Sequence, residues 1–374
     1  MRNTEKIIMR IQRVIHPVGQ GAFYSERFFD DKNHVSTNVV YDCGSETTKS
    51  KITIKQLPDD KIDYFFLSHF HNDHFNGNEK FFNNSLQIDT LVLPQLSIEE
   101  AIYCLLSCNP SCKKSNQRLC ELLSAPYTVA RQIILVEPTN KTIRNDFLSG
   151  LQVNYRTHPS FKDISLPCKI WQYIPVYENI IDPVKVANRI NDLKKSPLFS
   201  KYTSPQGILR RLVFLLLNQY DKVRHLLNGK DQNEFSMMLV SVPYNYETAV
   251  IKSSGICCGD GYKCRGEKHK IDDLIISKPG ALYTGDIPMS IVKNTINQII
   301  KTYGMVLGAY QIPHHGSALN YKSNLFPNSE LHFLSAGTRN RYRHPTAMPQ
   351  LNNLPILFSV TEKVTSRLTM NFTI

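Results

Sequence analysis

Residues 61–74 have the sequence KIDYFFLSHFHNDH. Lys61 to Ser68 is an apolar run of strand length that stops at four metal-competent side chains, His69, His71, Asp73 and His74. A strand buried on both faces reads as a near-continuous apolar run, and ligand sites in open α/β sheets gather at the C-terminal ends of the strands. Alternation along the extended chain points His69 and His71 the same way. Asp73 and His74 follow on the turn and are placed to face a second ion that the first pair does not reach. Imidazole with carboxylate suits zinc, manganese or iron rather than calcium. The bland alternative is a solvated, histidine-rich turn; the position of the cluster, directly after a buried-strand run, argues for the metal site.

Outward from this stretch the pattern is mixed α/β. Residues 8–45 carry paired strands, with tight turns at Gly19-Gln20-Gly21 and Asp42-Cys43-Gly44. Leu91 to Pro94 is the next strand. Residues 97–125 read as a helix with Ser97 as N-cap and Glu99 and Glu100 in its first turn. Residues 133–156 read as strands and 180–229 as largely helical; the run GILRRLVFLLLNQYDKVRHLL has apolar residues at three-and-four spacing. Residues 234–242 return as a strand, followed by three short strand-like runs, GALYTGD, MVLGAYQIPHH and LHFLSAG. The expected organisation is one domain over residues 1–374, with a helical insertion at about 95–230 that caps the site and a turn-rich loop insertion at about 243–280.

Composition narrows the partners. Lys and Arg number 44 against 32 Asp and Glu, a formal charge of +12 that favours anionic partners such as nucleic acid or phosphorylated ligands. No window approaches the roughly 18 apolar residues of a membrane span, and MRNTEKIIMRIQ has no apolar signal-peptide core. No membrane association is expected. Nine cysteines, an odd number at irregular spacing, fit free thiols in a reducing cytoplasm. Cys104, Cys108 and Cys112, spaced by four, are expected on one helix face as small buried side chains. Cys257, Cys258 and Cys264 lie in a glycine-rich loop whose spacing is not that of a standard zinc knuckle. His16, His34, His225, His269 and His332 lack a partner pattern and read as structural or surface residues.

The HxHxDH pattern resembles the signature of the metallo-β-lactamase-fold hydrolases, and further elements follow in order. His16 to Gly21 (HPVGQG) is similar to the turn that opens one branch, and Tyr41 to Ser45 (YDCGS) resembles its strand end, where Asp42 would orient the metal ligands. Thr284-Gly285-Asp286 resembles the strand end that supplies a bridging carboxylate. Ile312 to Ser317 (IPHHGS) resembles the HHGS element, and Ser335-Ala336-Gly337 with Asn340 to Pro345 (NRYRHP) resembles the NRYGHP element. Together these resemble the hydrolase domain of the ComEC/Rec2 DNA-uptake proteins and the phosphorylcholine esterases. A further resemblance is to stand-alone proteins of antiphage defence operons.

The resemblance implies a four-layer αββα metallo-β-lactamase fold with a helical insertion, and a centre of two divalent ions, zinc by default with manganese as the alternative. It implies that His69, His71 and His315 hold one ion, that Asp73, His74 and His344 hold the other, and that Asp286 bridges them. His314 competes with His315 as ligand; if it is not one, it contacts the leaving group or a phosphate oxygen, with Ser317 as a nearby hydroxyl donor and Asp73 orienting a metal-bridged hydroxide. The sequence departs from the common pattern in two places. A lone histidine expected midway is absent, since His158 sits in RTHPSF and the corresponding strand carries Asn233 and Ser236; and Arg343 replaces the usual glycine. The implied activity is phosphodiester hydrolysis on nucleic acid or a nucleotide-type ligand. The alternatives are hydrolysis of an ester, thioester or lactam, and a regulatory or effector role in a bacterial antiphage assembly with a protein partner.

Overall fold

The structure is a computed structural model that describes residues 9–46, 61–77, 87–151, 154–166, 170–229, 233–244, 253–258, 276–318, 320–321, 330–337, 356–361, 363 and 366–373. Two sheets face each other. The first runs β11 (Ser253–Cys258), β16 (Leu368–Thr373), β1 (Arg10–Ile15), β2 (Phe23–Phe29), β3 (Val35–Cys43), β4 (Lys61–Phe66), β5 (Gln87–Pro94), β6 (Ala130–Glu137) and β7 (Arg156–Pro159). It is antiparallel from β11 to β3 and parallel from β3 to β7. The second runs β15 (Leu357–Val360), β14 (Leu331–Ser335), β13 (Leu307–Gln311), β12 (Gly280–Tyr283), β10 (Met237–Pro243), β9 (Trp171–Tyr177) and β8 (Ile164–Ser165).

Period-two alternation shows how the second sheet is sandwiched. Trp171, Tyr173 and Tyr177 of β9, Met237 and Leu239 of β10, and Ala281 and Tyr283 of β12 join the core between the sheets. The intervening Ile174, Val176, Met238, Val240 and Leu282 join a second core with Ile296 and Ile299 of the helix Lys293–Tyr303. Successive strand residues point to opposite faces, so the second sheet is covered on one side by the first sheet and on the other by that helix. The helices Ile98–Leu106, Lys113–Ser124, Phe147–Leu151, Pro183–Lys194 and Pro205–Asn218 pack into the larger core together with the first sheet. The architecture is mixed α/β with two sheets and flanking helices, consistent with the metallo-β-lactamase fold.

A charged network crosses between the sheets. Arg13 and Glu26 are buried, and Arg13 Nε donates to Glu26 Oε1 at 2.6 Å. Tyr283 donates to the same oxygen at 2.7 Å, and Tyr173 and Ser241 donate to Oε2 at 2.7 and 2.6 Å. Arg13 Nη1 reaches the Pro279 carbonyl at 2.9 Å. Burial alone would raise the Glu26 pKa; Arg13 and the three hydroxyl donors outweigh it and hold the carboxyl below its usual range. A buried ion pair is tolerated only with this degree of compensation.

The interval 95–230 contains strands as well as helices. β6, β7, β8 and β9 lie in it and belong to the two sheets, and the helices alternate with them. Of the region 243–280, residues 245–252 and 259–275 lie outside the described residues, and β11 at the edge of the first sheet is described. The helix expected over 97–125 is two helices. The first starts at Ser97 in a capping box with Glu100, as expected, and stops at Leu106, before Asn109-Pro110. Cys104 is therefore the one member of the spaced trio inside that helix, because proline does not continue a helical ladder. Cys43, Cys104, Cys108, Cys112 and Cys120 are reduced and take part in no disulfide. No helix among the described residues is long and apolar enough to cross a membrane.

Candidate metal centre

The centre is built where β4 runs out. Leu67 still pairs with Val92, and then the chain turns inward. Asp42, at the end of β3, takes up the turn: its Oδ1 accepts from the Ser68 amide at 2.7 Å and its Oδ2 from the Ser68 hydroxyl at 2.7 Å. Asp42 itself has a left-handed backbone (φ 53°), which aspartate tolerates better than most residues. His71 then caps the short helix Asn72–Phe75. The Asp73 backbone is pressed against the neighbouring loop: a Cβ on Gly44 would lie 2.3 Å from the Asp73 carbonyl carbon, so only glycine fits. The Ala22 amide donates to the Asp73 carbonyl at 3.0 Å, which ties the Gly19–Gly21 turn to the same point.

Three imidazoles are anchored through Nδ1 with Nε2 directed inward. His74 Nδ1 donates to Asp42 Oδ2 at 2.7 Å, and His315 Nδ1 donates to the Ser335 carbonyl at 2.9 Å. His69 Nδ1 stands 3.0 Å from the Ser68 hydroxyl and 3.1 Å from that of Ser236. Ser68 gives its own proton to Asp42, so toward His69 it accepts, and the His69 proton sits on Nδ1. In its neutral form each ring would present a lone pair at Nε2, the arrangement in which carboxylates and carbonyls orient metal-binding histidines.

These nitrogens meet two carboxylates. His315 Nε2 is 3.0 Å from Asp73 Oδ2, His74 Nε2 is 3.2 Å from Asp286 Oδ1, and His71 Nδ1 is 2.9 Å from Asp73 Oδ1. Asp286 follows β12; its amide donates to Ser236 Oγ at 3.2 Å, and its carbonyl accepts from Asn320 at 3.0 Å. Potential ligand atoms of Asp73, His74, Asp286 and His315 lie within 4.8 Å of one another, as do those of His69, His71 and Asp286, and those of Glu46, His71 and Asp73. His69 Nε2 is buried without a hydrogen-bond partner, while the buried His71 Nδ1 and Asp73 Oδ1, and His74 Nε2 and Asp286 Oδ1, face one another as ion pairs. Five buried ligand-type atoms converging from different elements, one unpaired and four in close imidazole–carboxylate contacts, fit a cationic occupant.

The electrostatics agree. Burial opposes charge on His71, yet the Asp73 carboxylate lifts it to about 9. Burial likewise opposes charge on His74 and His315, and the carboxylates overcome it: Asp286 and Asp42 push His74 well up, and Asp286 and Asp73 raise His315. His69 is driven well below its ordinary value by burial and by His74. Asp73 and Asp286 are held well below the usual carboxylate range by the surrounding imidazoles, against the effect of burial. Without an ion, protons on the rings balance the two carboxylates; cations would displace them.

Of the residues singled out in the sequence, His69, His71, Asp73, His74, Asp286 and His315 come together. His315 does so in a different grouping: its Nε2 falls among Asp73, His74 and Asp286 rather than beside His69 and His71. The cause is local. His314, His315 and Gly316 all have positive φ (47°, 53° and 81°), and this turn, with the Ser335 carbonyl, sets the ring direction. Backbone strain of this kind gathers at functional sites. His314 stands at the rim, with Asn233 donating to its Nδ1 at 3.1 Å and its Nε2 3.9 Å from Asp286 Oδ2. Ser317 is buried, and its amide and carbonyl bond His314 and Tyr321. His344, with Arg343, lies outside the described residues. His158 is on β7 at the sheet edge, bonded to the Lys162 carbonyl. Glu46, which the sequence reading did not single out, lies beside His71 and Asp73.

Residues 33–85, which span the histidine cluster, match the Metallo-beta-lactamase superfamily. Among solved structures, the chain is similar to a long form RNase Z from yeast, with 11% identity and a TM-score of 0.36 over 88% of this chain and 37% of that one. It is also similar to unliganded yeast PDE1, with 9% identity and a TM-score of 0.39 over 99% of this chain and 100% of that one. The chain thus spans well under half the length of the RNase Z it resembles. No curated protein matches the chain.

Proposed function

We propose that the chain is a metal-dependent hydrolase with a centre for two divalent cations, zinc by donor type and manganese as the alternative, that cleaves phosphodiester bonds in nucleic acid or a nucleotide-type ligand. The observation that carries the reading is the convergence of buried ligand-type atoms of His69, His71, Asp73, His74 and Asp286. Bound there, the cations would supply Lewis-acid polarisation of the scissile group and lower the pKa of water. The protein fixes the ligand tautomers through Asp42, Ser68 and the Ser335 carbonyl. Asp286 stands between both groups of donors and fits the bridging role. His314 accepts from Asn233 at Nδ1, so its proton lies on Nε2, where it serves as a donor to a leaving oxygen or a phosphate oxygen. The formal charge of +12 supports an anionic substrate, and the resemblance of the HHGS and RHP elements to a DNA-uptake hydrolase branch supports a phosphodiester.

The test is turnover of bis-p-nitrophenyl phosphate with zinc or manganese, beside p-nitrophenyl acetate as a carboxylic ester. Chelator-sensitive cleavage of the diester is expected. Chelator-sensitive cleavage of the acetate alone would overturn the phosphodiester assignment and move the site to acyl substrates.

A further inference from the structure

We propose that Glu46 is an additional metal ligand at the mouth of the centre, supplying a carboxylate to the cation held on the His71 side. The proposal rests on the metal-centre reading above and extends it to a residue outside the HxHxDH and TGD elements.

Three observations carry it. A carboxylate oxygen of Glu46 and ligand atoms of His71 and Asp73 lie within 4.8 Å of one another. In that group, His71 Nδ1 and Asp73 Oδ1 are buried and face each other at 2.9 Å, and Asp73 is 2% exposed. Asp73 is divided between two environments: Oδ2 engages His315, while Oδ1 faces His71. The donors themselves are unevenly shared. Asp73, His74, Asp286 and His315 make a four-residue group, whereas His69 and His71 share Asp286 as their third member. At the place where the sequence reading looks for a further histidine, Ser236 turns its hydroxyl to His69 Nδ1 and the Asp286 amide. Four donors complete a tetrahedral zinc site, so among the described residues the His71 side is the one with room for another ligand.

The Glu46 backbone is held for this task. Its amide donates to the Gln20 carbonyl at 2.6 Å. The preceding Ser45 is clamped by Asn76, whose Oδ1 accepts from the Ser45 amide at 2.9 Å and whose Nδ2 donates to the Ser45 carbonyl at 2.8 Å. Ser45 Oγ donates to the Val18 carbonyl at 2.6 Å. Gly44 meanwhile lies directly against the Asp73 backbone. The segment is thereby fixed against the loop that carries His71, and the half-buried Glu46 side chain reaches the buried donors from the solvent side.

Chelator competition on the full chain, read by metal analysis rather than activity, tests the proposal with zinc as the probe. Mutating even outer partners of metal ligands changes affinity by about 10- to 100-fold, so Glu46→Gln is expected to weaken the more labile of the bound equivalents by at least about tenfold and leave the tighter one unchanged. Glu46→Asp is expected to recover part of the loss. A Glu46→Gln titration that superimposes on wild type would overturn the role of Glu46 while leaving the centre intact. Wild-type protein that binds no zinc would overturn the centre itself and this proposal with it. Because Glu46 lies at the mouth of the centre and is only half-buried, an unchanged melting temperature without metal is expected in both variants.

Discussion

Asp42→Asn is the perturbation that most sharply separates metal positioning from mere packing. Asp42 accepts three hydrogen bonds of 2.7 Å, from the Ser68 amide, the Ser68 hydroxyl and His74 Nδ1. Asparagine keeps one oxygen for the Ser68 amide and turns an NH2 toward the other two donors. His74 then has no acceptor at Nδ1 and relieves the clash by moving its proton to Nε2, the atom 3.2 Å from Asp286. The lone pair that would bind a cation is lost at the point where it is needed. Loss of a partner of this kind weakens metal binding by about 10- to 100-fold, or about 1.4 to 2.8 kcal/mol. The metal-free protein is also expected to lose about 1–3 kcal/mol, the cost of leaving a buried donor unpaired. Chelator competition reads the first effect and urea unfolding of the metal-free protein reads the second. Metal affinity within twofold of wild type would refute the argument that Asp42 acts through the His74 tautomer, whatever happens to stability.

Three further outcomes are expected. Asp286→Ala and His71→Ala should each abolish hydrolysis with the fold retained by circular dichroism; full activity in either would contradict the two-cation centre. Glu26→Gln leaves Arg13 buried without its counter-charge, which costs about 3–5 kcal/mol; a loss below about 1 kcal/mol in urea unfolding would show that the network between the sheets is not a stabilising pin. Burial lowers His332 to about 4 from 6.5, so as the pH falls between those values the unfolded chain takes the proton first and stability is lost, by at most about 3 kcal/mol. His332→Phe should flatten that part of the pH profile, and an identical slope in both proteins would be the contrary result.

Much of the site is legible in the sequence because its chemistry is local. A buried strand that ends in HxHxDH places four side chains by periodicity alone, and Asp286 and His315 sit in short motifs that read without tertiary information. The grouping of His315 is not legible, since it depends on two consecutive left-handed histidines and on a carbonyl 20 residues downstream in sequence. The placement of Glu46 beside His71 and Asp73 is hidden for a related reason: it depends on the tertiary contact of Gly44 with the Asp73 backbone and on the bonds that hold Ser45 and Glu46 to Asn76 and Gln20. In the fold, Trp171–Tyr177 escapes the periodicity search because all seven residues are buried, which erases the polar alternation that marks a half-exposed strand. The apparent helical face of Cys104, Cys108 and Cys112 fails at Pro110, a break that outweighs the spacing of the cysteines.

Metal content measured by mass spectrometry on protein purified without chelator tests the central claim most directly. About two divalent ions per chain are expected, removed by chelator and absent from Asp286→Ala. A wild-type chain that neither retains nor takes up a divalent ion would contradict it.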